Sequence, residues 1–287
     1  MIPNPLEIPI TDTHIHVDPI NGKGPLKIAK IFYNNGGRVM IIPNKPAWNF
    51  GQPTNYEKGM DLNNEYVDLI NKETPVHAYS FLGVHPAEYS NLIRAGKTYQ
   101  EAYKRIIKAI NYGSKEIEKG NALGIGEIGR PHYPVEEEEL KYHNKILEYC
   151  LKLGKDLNCP VMLHTEDFTP QKYEEIAKIA DKIGFNKNKL IKHHAEAHVL
   201  KEENFGIVPS ITTNKTNIIE ALKKGTRFFM ETDFFDEDEH PGMVLGPKTV
   251  PKRTLNFIQN EIMTVEEAFQ IHKNNVEKVF DIDQLKK

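Results

Sequence analysis

Short apolar runs bounded by Gly, Pro or Asn alternate along this chain with longer stretches whose apolar positions recur at helical spacing. The first run leads into Pro9-Ile10-Thr11-Asp12-Thr13-His14-Ile15-His16, an extended segment. Pro25 to Asn35 reads as a short helix. Arg38 to Pro43, between Gly36-Gly37 and a proline, reads as the second strand. A loop rich in Asn, Pro and Gly, Asn44 to Lys58, precedes a helix near Met60 to Lys72. Val76 to Val84 is predicted as strand three, closed by His85-Pro86. Tyr99 to Lys119 follows as a strong helix, with Tyr103, Ile106, Ile107, Ile110 and Ile117 along one face.

The alternation continues. Strand four is predicted over Ala122 to Ile128, a helix over Glu136 to Leu157, strand five over Pro160 to His164 and a helix over Gln171 to Ile183. Lys189 to Ala195 reads as strand six, His198 to Glu203 as a short helix or turn, and Phe205 to Pro209 as strand seven. Asn214 to Lys224 reads as a helix and Arg227 to Thr232 as strand eight, with further helices at Val250 to Asn260 and Val265 to Val279. Eight strands separated by helical segments, without internal repeats, predict an α/β fold closed as a (β/α)8 TIM barrel, a single domain over residues 1–287.

Composition fits that expectation. A chain of 287 residues with 39% hydrophobic content can bury a large core. Its net charge of -3 gives no electrostatic case for avid, nonspecific binding to nucleic acid or membrane. Cys150 and Cys159 are isolated in or beside a helical stretch, which argues against a disulfide framework. The start Met1-Ile2-Pro3-Asn4-Pro5-Leu6 has no basic segment leading into an apolar run, and no stretch approaches the roughly 18 apolar residues of a membrane span. A soluble cytoplasmic protein is expected.

Ligand-type residues stand where the strands end. Glu127 and His164 lie at the ends of strands four and five, His193 and His194 near the end of strand six, and Asp233 just past strand eight. The C-terminal ends of the strands are where such barrels carry their chemistry. His14 and His16, two residues apart on an extended segment, point the same way and form a metal clamp. Four histidines, a glutamate and an aspartate can hold two divalent ions, with imidazole suiting zinc and carboxylate tolerating zinc, manganese or magnesium. Glu127 suits a bridging role. Two such ions can share a hydroxide that attacks an ester, which favours hydrolysis, and Asp233 could both ligate and accept the proton of the attacking water. On a strand only one of the adjacent His193 and His194 can face the mouth.

The motifs Asp12-Thr13-His14-Ile15-His16, Gly83-Val84-His85-Pro86, Gly126-Glu127-Ile128-Gly129, Val161-Met162-Leu163-His164 and Glu231-Thr232-Asp233 resemble those of TatD-type metal-dependent hydrolases of the amidohydrolase superfamily, in particular the archaeal branch. Asn275-Val276-Glu277-Lys278-Val279-Phe280 echoes the C-terminal helix of that family. The resemblance implies His14, His16 and Asp233 on one ion, His164 and His193 on the other, and Glu127 between them. It also implies cleavage of phosphodiesters, as in the DNases of the family, with His85 contacting substrate. The chain departs from the pattern in three places: Gly129-Arg130-Pro131-His132 stands for the usual Gly-Leu-Asp continuation, Glu166-Asp167 for a basic residue after strand five, and Phe234-Phe235 for Ser-Pro.

These departures leave specific expectations. Arg130 either clamps an anionic substrate or pairs with Glu166 or Asp167. Asp236 to Lys248 borders the site, its acidic half a solvated turn and its Gly/Pro-bounded half a wall, with Lys248 near substrate. Trp48 either stacks on a base or packs under its own loop. The leading function is a phosphodiesterase acting on a small molecule or a nucleic-acid end. An amidase or lactonase is the alternative, and a non-catalytic metal-binding protein is a third reading.

Overall fold

The computed structural model describes residues 7–237 and 245–283. Among them the strands β1 (Thr11–Asp12), β2 (Val39–Pro43), β3 (His77–Leu82), β4 (Gly124–Gly129), β5 (Val161–His164), β6 (Leu190–Ala195), β7 (Val208–Thr212) and β8 (Phe229–Glu231) form one sheet in sequence order. Every neighbouring pair is parallel. The two outer strands then meet. The Thr13 N–H donates to Met230 O at 3.2 Å, Asp233 N–H to His14 O at 3.0 Å, and His16 N–H to Phe234 O at 2.7 Å. Asp12 reinforces this seam, accepting from the backbone of His14 and from the backbone and hydroxyl of Thr232. The result is the expected eight-stranded barrel, closed through a short, irregular junction.

Helices α1 (Pro25–Asn34), α2 (Tyr56–Glu73), α3 (Pro86–Arg94), α4 (Tyr99–Glu118), α5 (Glu137–Asp156), α6 (Pro170–Ile183), α7 (Lys201–Asn204), α8 (Lys215–Lys224), α9 (Thr249–Gln259), α10 (Val265–Phe269) and α11 (Asn275–Phe280) surround it. Their starts follow local chemistry. Thr98 and Thr264 form capping boxes with Glu101 and Glu267, and Asn55, Thr169 and Asn214 cap with their side chains. α3 is a helix the apolar pattern does not announce: Pro86, read as the end of strand three, occupies the first helical turn, and His85 caps it.

Inside the barrel, Val39, Ile41, Phe81, Met162, Ile191, Val208 and Phe229 pack with Val276, Val279 and Phe280 of α11. Asn275 donates to the carbonyls of Thr226 and Phe228, just before β8, so α11 closes the end where the strands begin. The opposite end stays available for chemistry. None of the described helices is long and apolar enough to cross a membrane.

Strand boundaries shift by one to three residues from expectation, among them those of β3, which is trimmed to His77–Leu82, and of β7 and β8. β7 begins at Val208 rather than Phe205, because Phe205 (φ 52°) and Gly206 (φ 96°) adopt left-handed backbone as α7 ends. β8 is trimmed to three residues. Within the predicted loop 236–248, residues 238–244 lie outside those described.

Candidate metal centre

Six side chains singled out by type and position converge at the C-terminal ends of the strands. His14 and His16, projecting from the segment after β1, bring their Nε2 atoms to 3.1 Å of one another. His16 is oriented from behind by Pro43 O, 2.9 Å from Nδ1. Glu127 stands among four of these imidazoles: its Oε1 lies 2.9 Å from His164 Nδ1, 3.0 Å from His193 Nε2 and 3.7 Å from His14 Nε2, and its Oε2 lies 3.7 Å from His16 Nε2. Asp233 Oδ1 lies 3.6 Å from His14 Nε2. The His14 and His193 rings stack at 4.0 Å.

Irregular backbone aims these groups. The register of β4 against β5 shifts between Ile125 and Ile128, at Glu127, and that of β6 against β7 shifts between Lys192 and Ala195, at the two histidines. Such bulges re-aim side chains at barrel rims. His194 (φ 49°) and Asp233 (φ 52°) both adopt left-handed backbone, which non-glycine residues keep only where surroundings enforce it. His193 therefore turns into the barrel and is buried, whereas His194 is exposed and pairs with Asp233 Oδ2 at 3.1 Å.

Further groups complete the site without having been singled out. Glu231, fully buried, accepts from the His194 N–H at 2.7 Å and from the Ser210 hydroxyl, and its Oε1 sits 3.4 Å from His193 Nδ1. His132 Nδ1 lies 3.1 Å from His164 Nε2, behind the face that His164 turns to Glu127. Glu231 was visible only as part of a motif, and His132 only as a departure from one. Lys192, buried under the site, donates to His193 O at 2.6 Å, and burial pushes its ammonium down to about 8.

The donor chemistry fits a divalent metal. Burial holds His14, His16, His85 and His164 below the usual imidazole range, which favours the neutral ring, the form able to ligate a metal. Burial works against the Glu127 carboxylate, yet the His14 and His193 rings outweigh it and keep Glu127 well below the ordinary range. Against its own burial, the His193 ring is raised to about 10 by Glu127 and Glu231. A field that raises a buried imidazole this far attracts cations. Three sets of donors each fit within 4.8 Å, the first two sharing His14: His14, His16 and Asp233; His14, His193 and Glu231; and His85, Glu127 and His164.

Comparison with known proteins places the chain. The family model for the TatD related DNase matches residues 11–281. This chain belongs to the TatD-related DNase family. Protein MJ1127 of Methanocaldococcus jannaschii, described as uncharacterized, is 43% identical over 277 residues, 96% of this chain and 97% of that protein. Among solved structures, the TatD homolog YJJV of Escherichia coli K12 superposes with a TM-score of 0.64 at 17% identity, over 96% of this chain and 99% of that one. The Escherichia coli phosphotriesterase homology protein, complexed with phosphate in its active site, gives 0.66 at 14% identity, over 95% and 99%. A TatD-family barrel with this donor set is a metal-dependent hydrolase.

Two cations that follow the strand ends are held by other residues of the chain. Arg130 is buried, donating from Nε to Asn144 at 2.7 Å and from Nη2 to Glu175 at 2.6 Å, with Glu166 3.5 Å from Nη1. Lys45 Nζ is fixed to Asp18 at 2.8 Å. Lys248, at the N-terminus of α9, lines a groove that also takes in Asn34, Asn35 and Gly36 at the end of α1. His85 stands at the mouth, its Nδ1 accepting from the Ala87 N–H and its ring 4.1 Å from that of His164.

Proposed function

We propose that the protein hydrolyses phosphodiester bonds at a centre of two divalent ions, with the whole chain, 1–287, acting as one catalytic unit. The observation that carries this reading is Glu127, one carboxylate within 3.7 Å of four imidazoles, those of His14, His16, His164 and His193. In this reading His14, His16 and Asp233 would hold one ion, His164 and His193 would hold the other, and Glu127 would serve both. Zinc, manganese or magnesium in these positions would supply Lewis acidity toward a phosphoryl oxygen and would lower the pKa of a water.

The residues of the chain supply positioning and proton transfer. Asp233 accepts the proton of the attacking water, and His194, 3.1 Å from its second oxygen, fixes the carboxylate plane. Glu231 and His132 hold the rings of His193 and His164 from behind. His85 borders the substrate. Arg130 serves the loop after β4, tying it to α5 and α6 through Asn144 and Glu175. Glu166 faces Arg130 and Lys172, so the replacement of a basic residue after strand five builds an internal ion-pair cluster.

The test is a paired panel on metal-reconstituted protein, with bis(p-nitrophenyl) phosphate and oligonucleotides on one side and esters, lactones and amides on the other. Phosphodiester cleavage is expected, lost by at least about 100-fold in His164→Ala with the fold intact. Acyl cleavage alone would replace this reading with the amidase or lactonase alternative. Full activity in His164→Ala would dismiss the assigned site.

A further inference from the structure

Four aromatic rings run across one side of the barrel mouth. The Trp48 indole meets His85 edge-on at 6.2 Å, His85 lies 4.1 Å from His164, and His132 lies 5.4 Å from His164 on the far side. Trp48 belongs to the short turn Ala47–Phe50 that follows β2, and it is 36% exposed. Among the described residues the large hydrophobic side chains that stand out into solvent are Ile20 (59%), Trp48 and Leu69 (37%). Two of these three sit on rim loops joined to each other: the Asn21 side chain donates to Asn49 O at 2.8 Å and to Asp18 Oδ2 at 2.9 Å. An apolar rim held in place beside a polar catalytic centre has the form of a recognition surface.

Charge points the same way by its distribution. Lys45 and Arg130 are buried and bound to carboxylates. A long polyanion gains its affinity by displacing counterions with Lys and Arg. These two cations offer it no such contact.

We propose that Trp48, with His85 beside it and Ile20 on the adjoining loop, is a stacking platform for the planar base of a nucleotide whose phosphodiester lies at the metal centre. Affinity then comes from ring contact, which every base can supply, rather than from backbone charge. The selected substrates are short or terminal nucleotide units. This rests on the phosphodiester reading above and adds the group that is recognised.

Trp48 is the single tryptophan of the chain, so its fluorescence reports this rim alone. Titration of the metal-loaded protein with AMP and UMP should quench that fluorescence saturably, and ribose 5-phosphate should not. Lack of quenching by both nucleotides, or equal quenching by the sugar phosphate, overturns the platform. In turnover, the ratio of kcat/KM for a dinucleotide to that for a ringless diester such as glycerophosphocholine should fall about 10-fold in Trp48→Ala, and Trp48→Phe should recover most of it. An unchanged ratio also overturns the proposal. Raising salt from about 50 to about 200 mM should alter the dinucleotide KM by less than about 2-fold, whereas a steep rise would mean that phosphate contacts dominate. Quenching by AMP in a protein that cleaves no phosphodiester would retain the platform and remove the hydrolytic reading. Cleavage without quenching would do the reverse.

Discussion

His193 and His194 carry the same side chain on consecutive residues and end in opposite surroundings. His193 is enclosed between Glu127 and Glu231, and His194, with left-handed backbone, leans outward onto Asp233. Position on a strand says that the two must diverge, but which one enters the barrel depends on the bulge in β6 and on Glu231 taking the His194 N–H. In the proposed centre Glu231 therefore acts through His193, as a positioning residue. Outer partners of this kind typically contribute 10- to 100-fold in metal affinity. Glu231→Gln should weaken zinc binding by about 10-fold, read by titration against a competing chelator, while circular dichroism stays native. An unchanged affinity would show that His193 needs no such support.

At the scale of strands and helices, the barrel was legible from the spacing of apolar runs, and the candidate site from ligand-type residues at their ends. What escaped was set by backbone detail. Pro86 has the appearance of a stop signal, yet after His85 it starts α3, since proline at the first turn loses no hydrogen bond. Phe205, Gly206 and Ile207 extend an apolar run that the left-handed turn excludes from β7. The pairing of Arg130 with Glu175, 45 residues later, has no local signature. Gly83 shows how tightly the strand ends are fitted: a Cβ there would stand 2.6 Å from Glu127 O and 2.6 Å from the Gly126 carbonyl carbon. Those obstacles are backbone atoms and cannot rotate aside. Gly83→Ala should cost about 2 kcal/mol or more in denaturant unfolding and lower turnover by displacing Glu127. A variant with wild-type midpoint and activity would mean that the strand ends yield freely.

Away from the candidate metal centre, two histidines link folding to acidity through their burial. His143 lies beside Ser90 and Glu139, and His272 is held between the Thr11 backbone and the Thr254 hydroxyl. Burial lowers each ring to about 4, below the 6.5 of an unfolded histidine. The unfolded chain therefore binds these protons first as pH falls. Their contribution is complete above about 6.5 and is lost progressively toward about 4, of order 3 kcal/mol for each site. Thermal melting of the metal-free protein should show Tm dropping through that window. A flat Tm would indicate that these rings keep an ordinary affinity for protons in the fold.

The junction between the first and last strands gives the molecule a sense of time. His14 and His16 stand on one lip of that junction and Asp233 on the other, 217 residues later in the order of synthesis, where Asp233 N–H meets His14 O. A chain emerging from the ribosome holds its two earliest ligands almost from the start, yet lacks their carboxylate partner until four-fifths of it has been made. On the proposed reading, catalytic competence arrives late and all at once, and an interrupted translation product ending before Phe229 would carry five of the six proposed ligands and no working centre.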